Sequence, residues 1–479
     1  MPFPIPCGPH CVNPSALKGQ SIAIWGYGRE GRAALQYLRA RLPGQALTVF
    51  CNAQEAAEIN AIGDEAIRCR SEPGAEDLAA FDVVVKSPGI SKYRPEALAA
   101  QAKGTRFIGG TALWFAAHPE ARTVCVTATK GKSTVSALIA HLLRSAGKRT
   151  ALVGNIGTPL LETMDWNEHP EFWVIEMSSY QTFEAVRPEV AVMLNFYPEH
   201  LDWHGSVQAY FEDKSALITQ SQARHVVLNE EAPRVAALAD GLTAEVHWFN
   251  TNTGWHAKGH TLYRGDTAVL DLRELPMPGQ HNAGNVCAAL TAIDALGLDA
   301  AALAPAARQF RPLPHRLQSL GEKSGIRYVN DSISTTPFAS IAALECFTAL
   351  PVAILVGGYD RGLEWDAFAD YVAAHPPKAI IAMGQNGARI AERLRAIAAP
   401  GFALSEAADL PDAVHQAQQA LPQGGVVLLS PGAPSFGVYA DYVARGRHFA
   451  DYVARGRHFA ELAGFDPNAI SKIPGLGMG

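Results

Sequence analysis

The sequence predicts an α/β protein of three domains, and three observations carry that reading. At 479 residues the chain exceeds one ordinary core, since domains run to roughly 100 to 200 residues each. A short apolar run, a glycine-rich turn and an Ala/Leu-rich stretch alternate along it, as parallel strands joined by crossover helices require. The alternation falls into three series with breaks placed near residues 115 and 312. This gives a tail at 1–19 and domains at 20–115, 116–312 and 313–479.

The first series runs IAIWGYG, REGRAALQYLRARL, LTVFC and DVVVKSPG, a Rossmann-like pattern. Gly26, Gly28 and Gly31 form G-Y-G-R-E-G between a strand and a helix, where a helix N-terminus holds a phosphate. An NAD site needs an acidic ribose reader about 20 residues on, and Cys51 and Asn52 stand there instead. A nucleotide diphosphate suits the turn better, with Ser87, Pro88 and Gly89 ending a second strand where a ligand sits on an open sheet. An NAD-dependent oxidoreductase rests on the glycine turn alone.

The second series opens with TVCVTATKGKSTVSALIAHLLRSAG and continues through TALVGNIG, FWVIEMSS and VAVMLNF, a P-loop ATPase-like pattern. Thr129, Lys130, Gly131, Lys132, Ser133 and Thr134 follow a strand and precede a long helix. In such a loop backbone N–H groups cradle phosphates, a lysine reaches the terminal ones and a hydroxyl meets magnesium. The early glycine of the full motif is missing and Ala128 stands where short loops of this kind carry Gly. If that position needs a positive φ, alanine costs roughly 1 kcal/mol there. A nucleotide-gated binding protein that has lost catalysis is the non-enzyme alternative. Glu176 closes the strand FWVIE, and His200, in NFYPEHLDWHG, is read as closing another. Beside a phosphate loop such ligands suit Mg2+. His204 is read as an ordinary turn residue.

The third series, with strands RYVNDS, VAILVGGYD, AIIAMGQ and VVLLSPG, predicts a second Rossmann-like domain. ADYVARGRHF at 440–449 recurs unchanged at 450–459, a tandem duplication expected to lengthen or loop out the last helix. Ten residues turn a helix about 80° short of three full turns, so the two copies should present different faces.

Composition limits the partners. The chain is 48% hydrophobic and 18% charged, a folded mix. A net charge of −6 argues against nucleic acid as a partner. Seven scattered cysteines are no secreted disulfide framework, and Cys7, His10 and Cys11 lack a second pair at zinc spacing. The start MPFPIPCGPHCVNPSALKG is not a signal peptide, and no apolar run approaches the roughly 18 residues of a membrane span. The expectation is a cytoplasmic protein with no membrane attachment.

Eight motifs in order carry a family resemblance: GKST at 131–134, GNIG at 154–157, EMSSYQ at 176–181, EHLDWHG at 199–205, GQHNAGN at 279–285, LPHR at 313–316, NDS at 330–332 and SPGAPSF at 430–436. From about residue 20 onward the chain resembles the Mur ligases, most closely those that add glutamate. The resemblance implies ATP-dependent ligation of glutamate to UDP-N-acetylmuramoyl-L-alanine through an acyl phosphate, in peptidoglycan precursor synthesis, by a monomer. FIGGTALWF, PEHLDWHG, NDSISTTP and AGFDPNAISKIPGLG look more like the members that add L-glutamate than the common D-glutamate ones.

By position, the resemblance implies that Lys132, Ser133 and Thr134 grip the ATP phosphates and that Ser133, Glu176 and His200 hold Mg2+. Asn282 and Asn285 would meet the adenine side, Arg316 the γ-phosphate and Asp331 the ribose. Lys214 falls where the family carries a lysine carbamylated by CO2. Gly28, Arg29, Glu30, Ser87, Pro88, Gly89, Asn155, Ser178 and Gln181 match contacts to the uridine nucleotide, His200 also lying on that side. Thr335, Arg361, Ser435 and Tyr442 match contacts to glutamate. The chain departs from the pattern at Ala128, at Ile333 and Arg361 where lysines are usual, and at Tyr442 in place of Phe, with Tyr452 its duplicate.

Overall fold

The computed structural model describes residues 14–277, 279–397 and 400–454 and the short strand Gly477–Met478. Cys7, His10, Cys11, the second half of the second decapeptide copy and the stretch AGFDPNAISKIPGLG up to Leu476 lie outside the described residues. The described residues form two compact units, 14–274 with 283–308 and 275–282 with 309–454.

The first unit contains two sheets. In one, the strands Ile67–Arg70, Leu47–Phe50, Ile22–Trp25, Val83–Lys86 and Arg106–Ile108 lie side by side in that order, all parallel. The central runs IAIW, LTVF and VVVK are buried throughout, the mark of strands covered on both faces. The strand order reverses between Ile22–Trp25 and Val83–Lys86, and the turns at 26–28 and 87–89 leave the sheet there, where open sheets of this kind form a crevice.

The second sheet has Val190–Met193, Thr123–Thr127, Phe172–Glu176 and Thr150–Gly154 as its parallel centre, and Gly477–Met478 pairs with the last of these. His225–Asn229 and Glu245–Phe249 extend it in parallel, and a meander of Trp255–Lys258, Thr261–Arg264 and Thr267–Asp271 completes it. The helix Gly110–Ala117 buries residues on every side, so it lies within the core. Trp114 packs edge-on to Trp173 with centroids 4.9 Å apart and donates its indole N–H to Thr163, so one core runs beneath both sheets.

The second unit has one sheet, ordered Gln318–Lys323, Ile326–Asn330, Gly425–Leu429, Val352–Val356, Ala379–Ala382 and Ala403–Glu406, parallel except for the first strand. Apolar clusters cover both faces. The helix Tyr442–Ala454 runs straight through the junction of the duplicated decapeptides, which lengthen it at least that far. Within the helix the copies differ in burial: Tyr442 is exposed and Val443 half-buried, while Tyr452 packs partly against the core and Val453 is buried.

Candidate active site

The phosphate loop leaves the carboxyl end of Thr123–Thr127 and enters the helix Lys132–Ser145. Gly131 caps that helix with φ 89°, and a Cβ there would lie 2.6 Å from Asn285 Oδ1, so only glycine fits. Ala128 does not have a positive φ, so the strain that alanine would carry in that conformation is absent. Asn195 clamps the loop from behind, accepting from the Lys130 N–H at 2.9 Å and donating to the Lys130 carbonyl at 2.9 Å. Lys130 pairs with Glu199, and Thr129 Oγ1 lies 2.7 Å from the Tyr210 hydroxyl. Ser133 is buried and Thr134 half-buried in the first turn of the helix. Asn195 takes up the Thr129 and Lys130 N–H groups, so it is the first-turn N–H groups of Lys132–Ser145, at the positive helix end, that suit a phosphate.

Two lysines converge on one carbonyl. Lys132 Nζ and Lys214 Nζ each donate to Ala128 O at 2.9 Å, and Lys132 donates also to Thr129 O. Burial, reinforced by the Lys132 charge and opposed by Glu199 and Glu176, drives Lys214 far below the ordinary lysine range, toward the neutral amine. Glu176, at the end of Phe172–Glu176, is 2% exposed. Its Oε1 accepts from Asn155 Nδ2 at 2.7 Å, whereas Oε2 has no hydrogen-bond partner. A buried carboxylate oxygen without a partner costs about 1–3 kcal/mol or more, and a bound cation would remove that cost. The site therefore fits Mg2+.

His200 does not close a strand. The strand ends at Met193, because Asn195 and the Tyr197 N–H leave the sheet to bond the phosphate loop. His200 sits instead at φ 56°, capping the short helix Leu201–His204, with its side chain half-exposed. Partial burial above all, with the Lys132 charge, holds its imidazole below the ordinary value against Glu199 and Asp202, favouring the neutral form a metal ligand needs.

His204 is no turn residue on the surface. Its side chain is fully buried; Nδ1 lies 2.7 Å from Asp213 Oδ2 and Nε2 3.0 Å from Ser179 Oγ. Asp213 also accepts from Lys92 Nζ at 2.6 Å and from the Tyr93 hydroxyl. Burial pushes the Asp213 carboxyl up, but the bonds from His204, Lys92 and Tyr93 outweigh it and hold it below the usual range. This chain ties the loop of His200 to the helix Val207–Thr219 that carries Lys214. The available signal was the second histidine of EHLDWHG and an aspartate beside Lys214.

At the first sheet, Gly28 caps the helix Arg29–Arg41 with no side-chain bond, and Ser87 Oγ donates to Gly26 O at 3.1 Å. A Cβ on Gly31 would lie 2.0 Å from Gly26 O, which fixes glycine there. Arg29 forms a two-pronged pair with Glu162, and Glu30 is raised to about 7 by burial and by Glu162, against Arg29. Trp203 Nε1 donates to Pro88 O at 3.0 Å, so the turn 87–89 and the His200 loop touch. Ser178 Oγ donates to Gln181 Oε1 at 2.8 Å, and Gln181 in turn reaches Thr111.

In the second unit, Asp331 accepts from the Leu317 N–H at 3.1 Å, from Ser430 Oγ at 2.8 Å and from Ser334 Oγ. Burial raises it to about 6 against these bonds and the Arg316 charge. Arg361 lies 5.6 Å over the Phe436 ring, Ser435 is buried, Thr335 half-buried and Tyr442 exposed with its carbonyl accepting from Ser332 Oγ. Asn282, buried, belongs to this unit and Asn285 to the first.

Residues 126–293 match the Mur ligase middle domain. The chain is 56% identical over 475 residues to a UDP-N-acetylmuramoyl-L-alanine–L-glutamate ligase of Xanthomonas axonopodis pv. citri, covering 97% of this chain and 99% of that protein. It is 57% identical at the same coverage to the corresponding ligase of Xanthomonas campestris pv. campestris. Against the protein of the same name from a Micromonospora it is 36% identical, over 91% and 96% of the two chains. A solved UDP-N-acetylmuramate-alanine ligase from Thermotoga maritima shares the fold at 19% identity and TM-score 0.55, covering 91% of this chain and 99% of that one. Identity above half along nearly the full length of both chains, on a phosphate loop flanked by Glu176 and Lys214, leaves one conclusion: the chain belongs to the Mur ligase family.

Proposed function

We propose that the chain uses ATP to join L-glutamate to UDP-N-acetylmuramoyl-L-alanine, releasing ADP and phosphate, in peptidoglycan precursor synthesis. The observation that carries this reading is the unpartnered Glu176 Oε2 buried beside a phosphate loop with two amines on one carbonyl. The names of its relatives at 56% and 57% identity supply the substrates.

The alanyl carboxylate attacks the γ-phosphorus of ATP to give an acyl phosphate and ADP, and the glutamate amine then displaces phosphate from the acyl carbon. Lys132 leaves the Ala128 and Thr129 carbonyls to meet the phosphoryl oxygens, where its charge opposes the negative charge that builds. Ser133, Glu176 and His200 would hold Mg2+, which when bound supplies further charge neutralisation on the phosphates. Lys214, as a neutral amine, is suited to attack CO2: an N–C bond forms as one C=O π bond opens onto oxygen, an N–H proton leaves to solvent, and the neutral amine becomes an anionic carbamate.

Gly28, Arg29, Glu30, Ser87, Pro88, Gly89, Asn155, Ser178 and Gln181 serve the uridine nucleotide in this reading. Asn282, Asn285, Arg316 and Asp331 serve ATP, and Thr335, Arg361, Ser435 and Tyr442 serve glutamate. In this reading the division at 20–115, 116–312 and 313–479 gives the first glycine turn to the uridine nucleotide, the phosphate loop to ATP and the glutamate set to the third domain. Among the described residues no helix is long and apolar enough to cross a membrane. The cysteines at 51, 69, 125, 287 and 346 are free, and the proposal keeps the cytoplasmic, monomeric expectation of the sequence.

The test is ADP release with the muramoyl nucleotide and each glutamate enantiomer, followed by chiral analysis of the product. A chiral centre read by three contacts misplaces the amine by an ångström when inverted, so L should exceed D by about 10²-fold or more. Equal or faster turnover with D-glutamate overturns the L assignment, and ADP release indifferent to both amino acids overturns the ligase.

A further inference from the structure

We propose a second metal site, for zinc, formed by His225, Glu245 and His247 on the strands His225–Asn229 and Glu245–Phe249 of the second sheet. The three lie on neighbouring parallel strands, with His225 opposite Glu245 and Val227 opposite His247. Residues two apart on a strand share a face, so the pairing sets all three side chains on one side of the sheet.

Their ligand atoms converge. His225 Nδ1 lies 3.1 Å from His247 Nε2 and 3.3 Å from Glu245 Oε2, and His247 Nε2 lies 3.6 Å from Glu245 Oε1. Zinc bonds of about 2.1 Å put tetrahedral ligand atoms about 3.4 Å apart, and an octahedral ion of that bond length about 3.0 Å. The two nitrogens, 3.1 Å apart, lie between these values, and the imidazoles approach different oxygens of the Glu245 carboxylate, at 3.3 and 3.6 Å. Two imidazoles and one carboxylate leave the fourth position to water, and nitrogen donors favour zinc over magnesium, which prefers oxygen.

The simpler account is one N–H···N bond with an ion pair. It serves the cluster poorly: with one proton between ring nitrogens 3.1 Å apart, one imidazole meets the carboxylate lone pair to lone pair, and with a proton on each the two N–H groups face each other, whereas one cation removes both conflicts. The histidine side chains are 13% and 23% exposed and Glu245 66%, so the pocket is walled by imidazole and open to solvent on the carboxylate side. Next to the cluster, Asp294 accepts from Trp255 Nε1 at 2.7 Å and from Arg264, and its charge acts on His247.

The site stands apart from the proposed magnesium site. His225 pairs with Val190 and Val190 with Val124, at the amino end of the strand whose carboxyl end releases the phosphate loop. Three to four residues separate the two levels, about 10–13 Å along the strand. The bound zinc clamps Glu245–Phe249 to His225–Asn229 and takes no part in ligation.

The experiment is a zinc chloride titration of the chelator-treated full chain against a chromophoric competitor, with cobalt as spectroscopic probe. One equivalent should bind with micromolar or tighter affinity and survive His200→Ala. The double variant His225→Ala/His247→Ala should lose at least about 10²-fold in affinity at that equivalent, and Glu245→Gln, on an exposed side chain that folding does not need, about tenfold. Cobalt should show the intense visible bands of a tetrahedral site, and the ligation rate of the double variant should equal that of the parent. Equal affinity and stoichiometry in parent and variants, loss of the equivalent in His200→Ala alone, or a weak octahedral cobalt spectrum overturns the proposal.

Discussion

Glu176 and Asp331 are both buried carboxylates at or just past the carboxyl end of a parallel strand, 2% and 7% exposed, yet they are completed differently. Both oxygens of Asp331 are met by the protein's own donors, a backbone N–H and two serines. Glu176 has one oxygen met and one left over. A buried polar group is ordinarily satisfied, so an exception beside a phosphate loop marks the place where the fold relies on something it binds. The first unit therefore leaves an oxygen open for a ligand at this point, whereas the second ties both oxygens of its carboxylate into its own loops, bonds that the proposed contact to ATP would have to share. Substitutions should separate accordingly: loss of activity at little structural cost in one, loss of stability in the other.

The largest expected effect is Lys132→Ala. The side chain lies at the start of a helix, half-exposed, so the thermal midpoint should hardly move while turnover falls by about 10³-fold or more, about 4 kcal/mol of barrier. Near-parental turnover would remove the phosphate chemistry from this loop. Glu176→Gln comes next. It removes a buried charge with an unmet oxygen, so the ligand-free chain should be at least as stable as the parent, while magnesium-dependent ADP release falls by about 10²-fold. A clear loss of ligand-free stability would mean that Glu176 is completed within the fold, as Asp331 is. Lys214→Ala should likewise lose activity and regain part of it with acetate, and Lys214→Arg should stay inactive because a guanidinium cannot be carbamylated. Full activity of Lys214→Arg would show that no carbamate is needed.

Asp331 sharpens the other side. Burial raises its pKa to about 6, so between about pH 4 and pH 6 the folded chain keeps a proton that the unfolded chain has released. Folding is then favoured below the window and loses about 3 kcal/mol as the pH rises through it. Asp331→Asn should flatten this slope for the second unit, read from denaturant midpoints at each pH. Parallel profiles for parent and variant would show that the carboxylate is already ionised at pH 4.

Much of the fold was legible where burial is two-sided. IAIW, LTVF, TVCVT, FWVIE and VAILV are continuous apolar runs, and each is a central parallel strand. Edge strands were missed for the complementary reason: Ile67–Arg70 and the meander from Trp255 to Asp271 face solvent and mix polar with apolar residues, so no run stands out. In the site, the residues held by one short segment could be read directly, as the phosphate loop and Glu176 were. His200 was placed on a strand because its seven-residue approach from Met193 is spent on clamping the phosphate loop, a long-range contact that spacing does not reveal. His204 was passed over because its partners are Ser179 and Asp213, from different elements.

That overlooked histidine gives the smallest of the expected effects and a check on the contrast itself, since it is a fully satisfied buried group inside the unit that also holds the unsatisfied one. Replacing His204 with Ala leaves Ser179 Oγ without its partner and removes one of the three donors to Asp213, which keeps Lys92 and Tyr93. An unmet buried polar group costs about 1–3 kcal/mol, so His204→Ala should lower stability by about 2 kcal/mol, the behaviour of a completed network. Asp213 precedes Lys214 on the helix that this bond ties to the His200 loop, so kcat should fall about tenfold while the KM for ATP stays within about twofold, since misplacement costs the reacting geometry more than nucleotide binding. A double-mutant cycle with Asp213→Ala should return a coupling of at least about 1 kcal/mol, because the two side chains share one short hydrogen bond. A coupling near zero would mean that the two groups do not act through each other, and that proximity to Lys214 gives His204 no part in positioning it.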